Sequence, residues 1–138
     1  MTVETTTELS LPSRIDTVAT AAGAVAEFVS RLGISEEAAF GIDMAVREAV
    51  TNAVLHGNRQ DEGKVVEIIL KSSPDAVEIS VHDQGAGFHP EEVPDPTAQE
   101  NILKTSGRGI FFMRTFMDEV DWSIRPGGGT TVRMLKRR

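Results

Sequence analysis

Val77-Glu78-Ile79-Ser80-Val81-His82-Asp83-Gln84-Gly85-Ala86-Gly87-Phe88 is the stretch on which the fold turns. Val77, Ile79 and Val81 alternate with Glu78, Ser80 and His82, the period of a strand with one face buried. One more step of that alternation puts Asp83 on the apolar side. A carboxylate there is costly unless it is hydrogen-bonded. Gly85 and Gly87 follow at once, so the backbone can turn sharply and lie close to a ligand. A plain strand end with a hairpin turn would carry the same Asp-x-Gly-x-Gly, so the rest of the chain has to decide.

Upstream, residues 3–11 alternate loosely and predict a first strand, stopped by Pro12 and lying at a sheet edge. A helix fits residues 15–31, with Ile15, Val18, Ala19, Ala22, Val25, Ala26 and Val29 as its apolar face. Gly33 ends it. Ser35 is the N-cap of a second helix, with Glu36 and Glu37 set against the positive end of its dipole. That helix runs to about Leu55, where His56-Gly57-Asn58 closes it, and Phe40, Ile42, Val46, Ala49, Val50 and Ala53 form its broad apolar face. Lys64 to Lys71 and Ala76 to His82 read as a hairpin joined at Ser73-Pro74-Asp75.

Downstream, residues 84–106 match neither periodicity, and three prolines fall between Pro90 and Pro96. A stretch of this kind in a small domain is a functional lid or a disordered segment. Gly107-Arg108-Gly109 then opens a short helix to about Met117. Val120 to Ile124 and Thr130 to Leu135 are the last strands, joined through Pro126-Gly127-Gly128-Gly129. Strands and helices segregate instead of alternating regularly. The expected fold is α+β: a two-layer sandwich, a mixed or antiparallel sheet with helices on one face.

Composition narrows the function. With 138 residues, 40% hydrophobic and 25% charged, the chain is sized for one globular domain spanning 1–138. A net charge of −7 argues against direct nucleic-acid binding. The absence of cysteine excludes disulfides, thiol nucleophiles and thiolate metal sites. No apolar run reaches the roughly 18 residues of a membrane span, and Met1-Thr2-Val3-Glu4 is not a signal peptide, so the expected location is cytoplasmic.

Three further pieces carry chemistry. Glu48, Asn52 and His56 are spaced i, i+4, i+8 and share one side of the second helix. Glu48 and Asn52 alone would read as a solvated surface pair. Beside a metal-nucleotide site they do more: a carboxylate can orient and deprotonate an attacking hydroxyl, and an amide oxygen is a hard ligand suited to Mg²⁺. Gly107-Arg108-Gly109 precedes a helix, whose free N–H groups favour phosphate. It is neither a Walker loop nor a dinucleotide fingerprint. Thr130 alternates in phase with Val132 and Met134, which puts its hydroxyl on the apolar side. A buried threonine bonded to its own backbone is the competing reading there.

Joined in order, Glu48-x-x-x-Asn52, Asp83-x-Gly85-x-Gly87, Gly107-x-Gly109 and Gly129-Thr130 resemble the motifs of the GHKL, or Bergerat-type, ATP-binding fold. Within that superfamily, the runs Arg47-Glu48-Ala49-Val50-Thr51-Asn52-Ala53-Val54-Leu55-His56-Gly57-Asn58 and Ser106-Gly107-Arg108-Gly109-Ile110-Phe111-Phe112-Met113 to Val120 resemble the bacterial anti-sigma factor serine kinases. The likeness spans about Leu11 to Leu135. It implies a protein that binds a sigma factor and uses ATP and Mg²⁺ to phosphorylate a serine on an anti-anti-sigma antagonist, and it implies a homodimer. Glu48 is then the catalytic base and Asn52 the Mg²⁺ ligand. Asp83, Gly85, Gly87, Gly107, Arg108, Gly109 and Thr130 contact the nucleotide. By position in the chain, Lys104, beside Thr105 and Ser106, reads as a further phosphate contact or a solvated lysine at a loop end, Phe88 as an anchor for the start of the lid, and Arg14 as a cationic contact to a partner or a solvated surface arginine.

Two other functions compete. A sensor histidine kinase needs a phosphoacceptor histidine upstream, and His56, His82 and His89 all lie within or beside the nucleotide motifs. A nucleotide-dependent regulator that sequesters its partner without phosphoryl transfer is the serious rival. Glu48 favours the enzyme, because a pure binder has little need of a base at that position.

Overall fold

The computed structural model describes residues 5–59, 61–85, 113–125 and 128–138. In chain order it contains β1 (Thr5–Pro12), α1 (Thr17–Ser30), α2 (Glu36–Asn52), a π-helical turn (Ala53–Gly57), β2 (Val65–Ser72), β3 (Ala76–His82), β4 (Glu119–Ile124) and β5 (Thr130–Arg137). The strands form one sheet in the order β1-β2-β3-β5-β4, every neighbouring pair antiparallel. Of the two sheet types expected, the antiparallel one is present. β2 and β3 pair as the expected hairpin, closed where the Ser73 N–H donates to the Ala76 carbonyl at 2.9 Å.

The core lies between the sheet and the two helices. Val25, Val29, Ile42, Val46, Val50 and Val54 come from the helical layer and its π turn. Val66, Ile68 and Leu70 of β2, Val77, Ile79 and Val81 of β3, and Val132 and Met134 of β5 face them from the sheet. These β-branched and long apolar side chains alternate along their strands with half-exposed residues, as a sheet covered on one side requires. The opposite face carries polar groups, among them Arg133 paired with Glu78 and Asp121. Such solvated pairs contribute little stability.

Several boundaries and faces differ from the sequence reading. Pro12 ends β1 from within the strand, opposite Val65. An edge position tolerates proline because no neighbour needs its missing N–H. α1 starts at Thr17, whose hydroxyl donates to the Pro12 carbonyl at 2.6 Å. Its buried face is Thr17, Ala21, Ala22, Val25, Phe28 and Val29, whereas Ile15, Ala19 and Ala26 are exposed. Alanines surround this helix on several sides, so periodicity alone does not choose the stripe.

In α2, Ser35 caps the helix by accepting from the Ala38 N–H at 3.1 Å, as expected. Phe40 leaves the expected apolar face. It is 57% exposed, and its ring meets Phe116 edge-on at a centroid distance of 5.8 Å. Gly41 takes the inward position, where an added Cβ would come within 3.3 Å of the Phe116 carbonyl oxygen. Residues 113–116 are helical. The start of that helix at Gly107-Arg108-Gly109, and residues 86–106 of the expected 84–106 lid, lie outside the described residues.

Candidate nucleotide-binding site

β3 delivers Asp83 just past its last paired residue, on the same side as Val77, Ile79 and Val81, and buries it to 7% exposure. The alternation read from the sequence holds to its end. The cost of burying the carboxylate is met by two backbone donors. Asp83 Oδ1 accepts from the Gly85 N–H at 3.0 Å and from the Thr130 N–H at 3.1 Å. The Asp83 N–H in turn donates to the Thr130 carbonyl at 2.9 Å. Burial still pushes the carboxyl above the ordinary aspartate range, although those two N–H groups, Arg125 and Lys64 pull it back.

Oδ2 is differently placed. It accepts from no donor among the described residues and faces the backbone of Gly57, at the end of the π turn. A side chain at Gly57 would overlap this carboxylate, one at Gly85 would overlap the Gly57 carbonyl, and one at Gly129 would overlap the Asp83 carbonyl. Gly129 also has φ +97°, a conformation that favours glycine. Three glycines thus let three backbone segments close around one carboxylate.

Thr130 lies on the apolar side of β5 with Val132 and Met134, as its phase predicts, and is 5% exposed. Its Oγ1 is buried with no hydrogen-bond partner among the described residues, so the reading in which it bonds its own backbone is overturned. A buried hydroxyl without a partner is costly, and it adjoins a carboxylate with an oxygen to spare. Together they fit a ligand that presents hydrogen-bonding edges, as a purine base does.

α2 positions the remaining described residues. Glu48 and Asn52 are half-buried and one turn apart, and no side-chain bond ties either to another described residue. The i+8 continuation to His56 fails. The helix widens into the π turn after Asn52, with the Asn58 N–H donating to the Ala53 carbonyl at 2.8 Å. The extra residue in that turn carries His56 off the row and leaves it exposed. Among the described residues no cluster of three His, Asp or Glu could hold a metal. A hard cation here would rely on Asn52 and on oxygens brought by the ligand. Gly87, Lys104, Gly107, Arg108 and Gly109 lie outside the described residues.

Sequence reasoning passed over Asn58, Gln84 and Arg125. Asn58 is 2% exposed and bridges two segments. Its Oδ1 accepts from the Gln84 N–H at 2.7 Å, and its Nδ2 donates to the Val65 carbonyl at 3.0 Å. Arg125 Nη1 donates to the Asp83 carbonyl at 3.2 Å. The only signal for Asn58 was its place after the helix, which also fits an ordinary cap.

An α+β sandwich whose buried aspartate ends a central strand, beside a helix bearing Glu-x-x-x-Asn, defines a nucleotide-binding domain of the GHKL class. Residues 11–136 match the histidine kinase-like ATPase domain family. The anti-sigma F factor of Clostridium perfringens (strain SM101 / Type A) is 37% identical over 115 residues, covering 82% of both chains. That of Thermoanaerobacter sp. (strain X514) is 35% identical over 133 residues, covering 94% of this chain and 91% of the relative. In structure, the chain is similar to the RsbU and RsbW domains of Rv1364c from Mycobacterium tuberculosis, with a TM-score of 0.71 and 20% identity. That match covers 96% of this chain and 32% of the solved one. The chain belongs to the histidine kinase-like ATPase family, in its anti-sigma factor branch.

Proposed function

We propose that this protein is an anti-sigma factor and serine protein kinase, which sequesters a sigma factor and phosphorylates an anti-anti-sigma antagonist using ATP and Mg²⁺. The observation that carries the nucleotide half is the state of Asp83: one carboxylate oxygen held by two N–H groups, the other left for a donor, next to the unpartnered Thr130 hydroxyl. The exocyclic amino group of adenine is such a donor. Guanine presents a carbonyl at the corresponding position and would set acceptor against acceptor. Thr130 Oγ1 bonds the base beside it, and Gly85, packed against the Gly57 carbonyl, keeps the strand end close to the end of the α2 segment.

For the chemistry, Glu48 accepts the proton of the antagonist's serine hydroxyl as that oxygen bonds the γ-phosphorus and the bond to ADP breaks. Asn52 would hold Mg²⁺ through its amide oxygen, and the ion would supply positive charge to the phosphates. Gly87, Gly107, Arg108, Gly109 and Lys104 complete the phosphate side by their places in the motifs. The names of the relatives support the sigma-factor partner. The resemblance also implies a homodimer in the cytoplasm, and among the described residues β1 pairs on one side only.

Incubation of the protein with ATP, Mg²⁺ and candidate antagonists, read by phosphoserine mass spectrometry, tests this reading. Phosphate on an antagonist serine is the expected result. ATP binding and sigma-factor capture without any phosphoserine would establish the second reading, a nucleotide-dependent sequestering regulator.

A further inference from the structure

We propose that Asn58 is a positioning residue for nucleotide recognition, acting as a clamp that holds Asp83 in its binding geometry; this rests on the adenine-binding reading of Asp83. Asp83 sits where β3 gives way to irregular backbone, held on the β5 side by its two hydrogen bonds with Thr130. What restrains it on the far side is Asn58. The Asn58 side chain is buried and spends both ends of its amide on backbone: Oδ1 on the Gln84 N–H at 2.7 Å, Nδ2 on the Val65 carbonyl at 3.0 Å. Gln84 returns the link, its Oε1 accepting from the Val65 N–H at 2.8 Å.

The result is a closed set of hydrogen bonds joining the end of the π turn, the start of β2 and the residue after Asp83. Gly57 and Gly85, whose backbones touch inside this set, fix how closely the carboxylate approaches α2. The π turn itself ends on Asn58, through its N–H to the Ala53 carbonyl. The helix that carries Glu48 and Asn52 is thereby tied to the strand end that carries Asp83. Asn58 needs no contact with the base to affect it. Release of the Gln84 N–H frees the Asp83–Gly85 segment to turn, and the aligned Oδ2 is lost with it.

Titration calorimetry of the parent, Asn58→Ala and Gln84→Ala with ATP and with GTP, beside thermal unfolding of each apo protein, tests the clamp. Asn58→Ala should bind ATP about tenfold more weakly and narrow the ATP-to-GTP preference about threefold or more, while still unfolding cooperatively. A merely structural Asn58 would lower the melting temperature and leave both affinity and preference at parental values, which overturns the proposal. Gln84 is exposed, so Gln84→Ala serves where Asn58→Ala does not fold. It keeps the N–H that Asn58 holds and removes the Oε1 link to Val65, so a loss of about threefold in ATP affinity is expected, and parental affinity overturns the closed set as the restraint on Asp83. A parent that binds no ATP overturns the adenine reading itself, and the clamp with it. A parent that binds ATP beside folded variants of equal affinity overturns the clamp alone.

Discussion

The backbone of Gly57 lies against the carboxylate of Asp83, so closely that a single methyl group at Gly57 would occupy the space of Oδ2 and Cγ. These residues come from the end of the α2 segment and the end of β3, and their contact brings the two halves of the candidate site together. Gly57→Ala must therefore either displace the carboxylate or part the two segments. Overpacking of this kind costs about 1–3 kcal/mol. The expected outcome is a folded but less stable protein with ATP affinity reduced at least about tenfold, read by thermal unfolding and calorimetry. Parental affinity would mean that the carboxylate does not face the ligand.

Asp83→Asn should separate stability from binding. The asparagine Oδ1 can keep the Gly85 and Thr130 N–H bonds, while its Nδ2 opposes the adenine amino group with a second donor. ATP affinity should fall about tenfold to a hundredfold. In the parent, the native carboxyl has a raised pKa. The native state therefore holds its proton more tightly than the unfolded state, and Asp83 withdraws stability as pH rises through the window above 3.8. Asparagine removes that loss, so the apo variant should melt at an equal or higher temperature near pH 7.

The same raised pKa makes nucleotide binding depend on pH. A ligand N–H donor favours the charged carboxylate, so ATP affinity should climb as pH rises through the native pKa of Asp83 and then level off. Proton release on binding, measured by calorimetry in buffers of different ionisation enthalpy, checks it. An affinity that stays constant as pH rises above 3.8 would remove Asp83 from the contact.

His82 points to the polar face, where its Nδ1 meets Thr131 Oγ1. Burial and the nearby Arg125 lower its pKa, against the opposing pull of Glu67 and Asp83. The native state thus binds the proton less readily than the unfolded one. The stability this contributes is complete above 6.5 and is lost as pH falls through the depressed native value. His82→Gln should flatten the acid limb of the melting-temperature profile below that pH. An unchanged limb would show that His82 is not its source.

Glu48→Ala and Asn52→Ala should part chemistry from binding. If Glu48 is the base, its alanine variant retains ATP and loses about 10²–10⁴-fold in phosphorylation rate. Asn52→Ala should instead weaken only the Mg²⁺-dependent part of nucleotide affinity. Parental phosphorylation by Glu48→Ala would rule out the assigned base.

Local chemistry made much of this protein legible in its sequence. Strict alternation placed Asp83 and Thr130 on the buried side, because the pleat allows each residue only one of two faces. Ser35 announced a helix start, since its hydroxyl serves an N–H three residues on. The glycine pairs and the Glu-x-x-x-Asn spacing carried the class of site. Tertiary structure alone decided which stripe of the alanine-rich α1 is buried, why Phe40 yields its inward place to Gly41, and that α2 widens into a π turn that turns His56 outward. It also decided what Gly57 and Asn58 are for. Both read as helix-ending residues along the chain, and their contacts with Asp83 and Gln84 span 26 residues of sequence. Such contacts form only when the helix end and the strand end close on one another, and no local period or spacing encodes them.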